Sequence, residues 1–216
     1  MLDYSIGEDK KWYILYSGVY LFEDSTTKEW ENSMDKFGGT VFLYDAENMK
    51  VPVSQAKKYK VPRINLEIMT AALKKRFPDT HRHFVSFGKR YFDKSDKRNE
   101  NINKFNVRLE RLGYSIVEKI VRVKSGVFVN SEGEAIEYKY DDCDTDGDII
   151  HFIHTVGKGY NRIVMISGDG DMEQPLKYVM DNYSSEIWIV AHRETMSNIY
   201  RNYNYIFIDE LLKDSQ

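Results

Sequence analysis

The chain predicts a three-layer α/β fold with a mainly parallel central sheet, helices on both faces, and a small N-terminal appendage over residues 1–38. Three observations carry that expectation. Short β-rich apolar runs alternate with segments whose apolar residues recur every three or four positions. Such alternation implies right-handed crossovers between parallel strands, with helices packed over the sheet. Acidic residues then fall just past two of the apolar runs, where ligand crevices open in sheets of this kind.

The elements follow in order. Thr40–Asp45 (TVFLYD) reads as the first strand of the main domain, which spans 39–216, and Gly38-Gly39 precedes it. Asn65–Phe77 carries Leu66, Met69, Leu73 and Phe77 on one helical face, and Pro78 closes it. His83–Gly88 is a second strand. Ile102, Phe105, Leu109 and Leu112 mark a second helix, ended by Gly113. Tyr114–Val123 is strand-like, and Val127–Val129 with Ile136–Tyr138 predicts a hairpin around Asn130-Ser131-Glu132-Gly133. A helix with Ile149, Ile150, Ile153 and Val156 inward comes next, followed by a strand at Ile163–Ser167. The helix from about Glu173 has Pro175 in its first turn, where a missing N–H is harmless. Glu186–Ala191 and Tyr205–Ile208 are the last strands. Within the appendage, Lys11–Phe22 predicts a small hairpin turning at Ser17-Gly18.

Composition narrows the class. The 216 residues suffice for one substantial domain with a buried core, and no apolar run approaches the roughly 20 residues that span a bilayer. A single cysteine, Cys143, excludes an intrachain disulfide, so a reducing, cytoplasmic setting without membrane association is expected. The net charge of −3 conceals an asymmetry, with 19 Lys and Arg against 7 Asp and Glu between Lys57 and Lys124. A basic middle beside acidic clusters suits a protein that holds phosphates with cations and a metal with carboxylates. The same Lys and Arg also suit solvated helix faces.

Six aspartates and one asparagine carry the chemistry: Asp45 and Asn48 in VFLYDAEN, Asp144, Asp146 and Asp148 in CDTDGDII, and Asp169 and Asp171 in VMISGDGDME. Asp45 and Asp169 end strands at the carboxyl edge of the sheet. A helix leading into the amino end of a strand begins near that same edge, which brings Asp146 beside them. Two carboxylates about 5 Å apart repel by roughly 3 kcal/mol at an effective dielectric of about 20. A fold keeps such a group when a divalent cation occupies the gap or when some acids stay protonated. The residues alone leave Asp171 open as a helix cap, and Asp144 and Asp148 as caps or solvated acids. His151 and His154 read as packing or surface. Cys143, a thiol among acids, is a poor nucleophile. Tyr91 and Phe92 suit base stacking or loop packing equally.

These motifs resemble NYN-domain ribonucleases of the PIN-like nuclease superfamily. VFLYDAEN resembles the opening strand with D-x-x-N, ERLGYSIVEKIVRVK the third-strand region, DTDGDIIHFI the acidic helix start, IVMISGDGDMEQPLKYV the strand–S-G-D-x-D–helix motif, and YNYIFIDELL the closing elements. The resemblance runs from Thr40 to Leu212 and implies a Rossmann-like, PIN-like fold. It also implies metal-dependent hydrolysis of RNA, single-stranded or structured, by an endoribonuclease using Mg²⁺ or Mn²⁺. Asp45, Asp146, Asp169 and Asp171 would form the metal centre and Asn48 would accompany Asp45 as a catalytic residue. Asp146 is favoured over Asp144 and Asp148 because the apolar pattern of its helix then falls in register. Lys89, Arg90 and Ser167 are the expected substrate contacts, and Met172 stands where the family often has Phe. A homodimer is compatible with this reading, and the alternative is an inactive RNA-binding or regulatory domain of the same fold.

Overall fold

The computed structural model describes residues 38–49, 65–79, 84–91 and 93–213, together with the backbone of three short N-terminal strands. Those strands, β1 (Tyr4–Ser5), β2 (Lys11–Leu15) and β3 (Gly18–Tyr20), form an antiparallel sheet of their own, with β2 and β3 making the hairpin expected between Lys11 and Phe22. His81, His83 and Phe92 lie outside the described residues.

The main domain is an α/β fold on a seven-stranded sheet. Its strands are β4 (Thr40–Asp45), β5 (Phe84–Tyr91), β6 (Tyr114–Val129), β7 (Ala135–Asp142), β8 (Arg162–Ile166), β9 (Glu186–Ala191) and β10 (Asn204–Phe207). They lie in the order β10-β9-β8-β4-β5-β6-β7, and every pairing is parallel except β6 with β7. The helices are α1 (Leu66–Arg76), α2 (Lys97–Arg111), α3 (Asp146–Thr155), α4 (Glu173–Tyr183) and α5 (Ile208–Lys213).

All six residues of β4 are buried, as a strand covered on both faces must be. Alternation along it divides the core. Val41 and Leu43 pack against Ile149 and Ile153 of α3 and Leu176 of α4, whereas Phe42 and Tyr44 pack against Met69 and Leu73 of α1 and Leu109 of α2. Asp45 shares the parity of Val41 and Leu43, so its carboxylate belongs to the α3 side. Met172 is fully buried in that same core. Asn65 caps α1 by accepting from the Glu67 and Ile68 amides, at 3.1 and 3.2 Å.

Three boundaries differ from the sequence expectation. β5 continues through Lys89 and Arg90 to Tyr91, because the Phe84–Tyr91 stretch pairs residue for residue with Tyr114–Val121 of β6. β6 runs unbroken to Val129, as its outer half pairs with all of β7. Ile208 opens α5 rather than ending β10, and its side chain is buried among α1 residues.

The chain leaves β4 toward β5, β6 and β7 on one side, then returns to place β8, β9 and β10 on the other. The strand order therefore reverses between β4 and β8. A crevice opens at the carboxyl ends of two such strands because their connections depart in opposite directions.

Candidate metal centre

The functional side chains gather at that crevice. Asp45 ends β4 and is only 2% exposed. Its Oδ1 accepts from the Glu47 and Asn48 amides at 3.1 and 3.0 Å, which folds the following turn back over it. Ser167 Oγ donates to Asp45 Oδ2 at 3.0 Å and accepts from the Asp169 amide at 3.1 Å. Asn48 Oδ1 accepts from the Gly168 amide at 2.9 Å. Asn48 and Ser167 thus lock the loop after β4 onto the loop after β8. The D-x-x-N and S-G-D motifs, remote in the chain, form one hydrogen-bonded unit.

Asp169 accepts the Asp171 amide at 3.1 Å, starting the 3-10 turn Gly170–Met172 that leads into α4. The Tyr200 hydroxyl donates to the Asp169 carbonyl, anchoring the turn from outside. The glycines of S-G-D-G-D are explained by packing. A Cβ on Gly168 would lie 2.7 Å from the Thr195 carbonyl oxygen, and one on Gly170 would lie 2.7 Å from Ser197 Oγ. The segment after β9 therefore seats directly on the acidic loop, and Ser197 donates its amide to the Gly168 carbonyl at 2.9 Å.

Asp146 is the first residue of α3, and its amide is capped by Asp144 Oδ1 at 3.0 Å. One carboxylate oxygen each from Asp146, Asp169 and Asp171 lies within 4.8 Å of the other two. Partial burial, followed by the charges of Asp45, Asp169, Asp144 and Asp171, pushes the Asp146 carboxyl up to about 6. Asp45 is likewise raised, chiefly by burial and also by the Asp169 charge, against the lowering effect of its three hydrogen bonds. Three hard oxygen donors this close fit a Mg²⁺- or Mn²⁺-sized ion, whose ligand bonds of about 2.0–2.6 Å span such a gap. Asp45 sits beside this trio, its oxygens held by neutral donors.

The remaining expected residues fall in different places. Asp148 pairs with Lys119 Nζ at 3.3 Å, and Asp144 accepts the Asp146 amide just ahead of the helix. Lys89 shares the acid-facing side of β5 and pairs with Glu47 at 3.0 Å. Burial opposes its charge, but the hydrogen bond and charge of Glu47 outweigh this and leave its pKa raised. Arg90 points to the opposite face, where it meets Glu118 at 3.3 Å. The Ser167 hydroxyl is buried and fully engaged between Asp45 and Asp169. Tyr91 is packed rather than presented, its hydroxyl donating to Asp141 at 2.7 Å. Burial raises the Cys143 thiol, in keeping with an inert role.

Sequence reasoning missed Lys119, which lies directly across from Lys89 in the β5–β6 register and so faces the same side. The signal was present: Lys119 interrupts the inward alternation of Val117 and Val121. It also missed Tyr200 and the segment at 192–197, which carry no charge pattern or motif.

The sequence model of the NYN domain matches residues 39–211. No curated protein is significantly similar to the chain in sequence. Among solved structures, a protein of unknown function from Vibrio parahaemolyticus superposes with a TM-score of 0.53 at 14% identity, covering 80% of this chain and 94% of its own. Its likeness concerns the fold. A ribokinase from Giardia lamblia aligns with a TM-score of 0.33 at 14% identity, over 76% of this chain and 54% of its own. Among the described residues, no helix is long and apolar enough to cross a membrane.

Proposed function

The chain belongs to the NYN-domain family, whose members share a PIN-like nuclease fold, and from that premise we propose that it is a metal-dependent endoribonuclease. The observation that carries the proposal is the convergence of Asp146, Asp169 and Asp171 within 4.8 Å at the strand-order reversal. These three would hold Mg²⁺ or Mn²⁺, with Asp45 completing the acidic set. When bound there, the ion supplies Lewis acidity toward the phosphate and lowers the pKa of a coordinated water.

The chain's own residues do the rest. Ser167 and Asn48 fix the relative positions of Asp45 and Asp169, so the carboxylates are in place before substrate arrives. Lys89 and Lys119 stand side by side at the same edge and offer cations to the backbone phosphates of RNA. Hydrolysis forms a bond from water oxygen to phosphorus as the bond from phosphorus to the departing strand's oxygen breaks.

The test is incubation of purified protein with labelled single-stranded RNA, structured RNA and DNA, each with Mn²⁺, Mg²⁺ or chelator. RNA cleavage that requires a metal and disappears in Asp169→Asn is the expected result. Cleavage that survives chelator or that substitution would overturn the assignment. RNA retention without cleavage under any metal would favour an inactive binding domain.

A further inference from the structure

Among the described residues, β6 has no strand on its β5 side beyond Val121, and Arg122–Val129 pairs only with Ala135–Asp142. This two-stranded arm extends past the carboxyl edge of the sheet by eight residues, or about 26 Å. Its surface is unusually apolar for a solvated ribbon. Val127 is 61% exposed and Val129 67%, while Phe128, Ile136, Tyr138 and Tyr140 are also exposed. The rings of Phe128, Tyr138 and Tyr140 form a row with centroids 5.8 and 5.6 Å apart, and Tyr138 lies flat on Gly126. An isolated hairpin is marginal in water, and a long apolar edge strand is a template for another strand.

The order of charges on β7 says which strand fits. Two copies related by a two-fold axis perpendicular to the ribbon pair antiparallel with like-facing residues opposite, so the axis must pass through a residue. An axis at Glu137 sets Glu137 against itself. One at Lys139 sets Lys139 against itself and Glu137 against Asp141. One at Tyr140 sets Lys139 against Asp141, which Arg98 and Tyr91 already hold at 3.4 and 2.7 Å, and leaves Glu137 without a cation. An axis at Tyr138 sets each Glu137 against Lys139 of the second copy, and each Ile136 against its Tyr140, on opposite faces of the ribbon. The two tyrosines then meet on the axis and extend the aromatic row. At the outer rung, Glu134 approaches Asp142, whose charge Lys124 already balances at 2.6 Å. The exposed edge of Arg122–Val129 carries only cations and has no such self-complementary register.

We propose that the chain forms a homodimer through β7, antiparallel and centred on Tyr138, making a four-stranded ribbon beside the two acidic centres. β7 leads within four residues to Asp146, so each centre is tethered to the interface.

Sedimentation velocity of the full chain over a concentration series tests this. The expected result is a monomer–dimer equilibrium. Glu137→Lys or Lys139→Glu alone should weaken it about 10-fold or more, because symmetry makes each substitution act at two rungs. The combined exchange should restore the wild-type constant. A wild type that is monomeric throughout overturns the proposal, as do single substitutions without effect or a double exchange that fails to recover. Arm substitutions that reduce RNA retention by a purely monomeric protein would likewise overturn it, in favour of a nucleic-acid platform.

Discussion

Replacing Asp146 by Asn should make the metal-free protein more stable at alkaline pH, with the gain fading as the pH falls toward the unfolded carboxyl value. In the fold this carboxyl is pushed up to about 6 from an ordinary 3.8, first by partial burial and then by the charges of Asp45, Asp169, Asp144 and Asp171. The sign follows from linkage. A carboxyl with a raised folded pKa imposes no penalty below the unfolded value, where both states are protonated. The penalty grows as pH rises from the unfolded value to the folded one and is complete above it. A separation of about two pH units corresponds to about 3 kcal/mol. Asp146 is well wetted, so solvent screening reduces that to about 1 kcal/mol. Loss of its favourable charge at the α3 N-terminus removes about 0.3 kcal/mol, since Asp148 remains in the same turn. The net gain near pH 8 is then about 0.7 kcal/mol, a rise of about 2 °C in Tm for a domain of this size. Thermal unfolding in chelator at pH 8 and at pH 4 measures it directly. Added Mn²⁺ should reverse the order at pH 8, stabilising the wild type more than Asp146→Asn. A substitution that destabilises the chelated protein at pH 8, or helps it equally at pH 4, refutes the claim that burial and uncompensated repulsion together penalise the Asp146 charge.

Gly168→Ala should lower Tm by about 2–10 °C, because the new methyl meets the Thr195 and Met196 backbone at 2.7–3.1 Å and overpacking of this kind costs about 1–3 kcal/mol. It should also impair cleavage, as Asp169 is the next residue. Gly147→Ala is the control: its nearest neighbour is the Lys119 amine at 3.9 Å, and alanine is the better helix former, so unfolding should show no loss of stability. Lys119→Gln and Lys89→Gln should each weaken single-stranded RNA binding and reduce its salt slope by about 0.7 for every phosphate no longer neutralised. Arg90→Gln, on the other face with Glu118, should leave the slope unchanged, and an altered slope there would relocate the RNA path.

What the sequence disclosed was whatever depends on local order. β4 and β8 are apolar runs, the first closed by Asp45 and the second followed by Ser167, and α3 announces itself through Ile149 and Ile153 following three aspartates. Parity and length were harder to read. Lys89 and Arg90 look equivalent in a string, yet once β5 is known to continue through both, they must point to opposite faces. Lys119 is marked in the sequence as a break in the alternation of Val117 and Val121, but only its cross-strand pairing with Lys89 places it at the site. The seating of 192–197 on Gly168 is likewise a meeting of remote segments, visible beforehand only as glycines without an evident turn to make. The arm reads as two short apolar runs because Lys124, Ser125 and Gly126 break the pattern, while pairing along its full length keeps it extended.

Ion pairs hold most of the aspartates outside the centre; among the described residues, Asp93 and Asp144 accept amides or a hydroxyl instead. Asp79, Asp96, Asp141, Asp142, Asp148 and Asp181 each sit within salt-bridge distance of a Lys or Arg. Among the described residues, Asp45, Asp146, Asp169 and Asp171 have no such partner; the groups that hold Asp45 and Asp169 are amides and a hydroxyl. Lys89 and Lys119 share the acid-facing side of the sheet, and their ammonium groups pair with Glu47 and Asp148 instead. Neutral donors fix a carboxylate's position without cancelling its charge, whereas an ammonium would do both. A fold that places four acids together and diverts two adjacent lysines to other carboxylates preserves a local negative field, which adds to the larger effect of partial burial in lifting Asp146 to about 6. Such an arrangement is costly to stability unless something positively charged enters it, and the oxygen spacing of Asp146, Asp169 and Asp171 admits an ion more readily than a side chain.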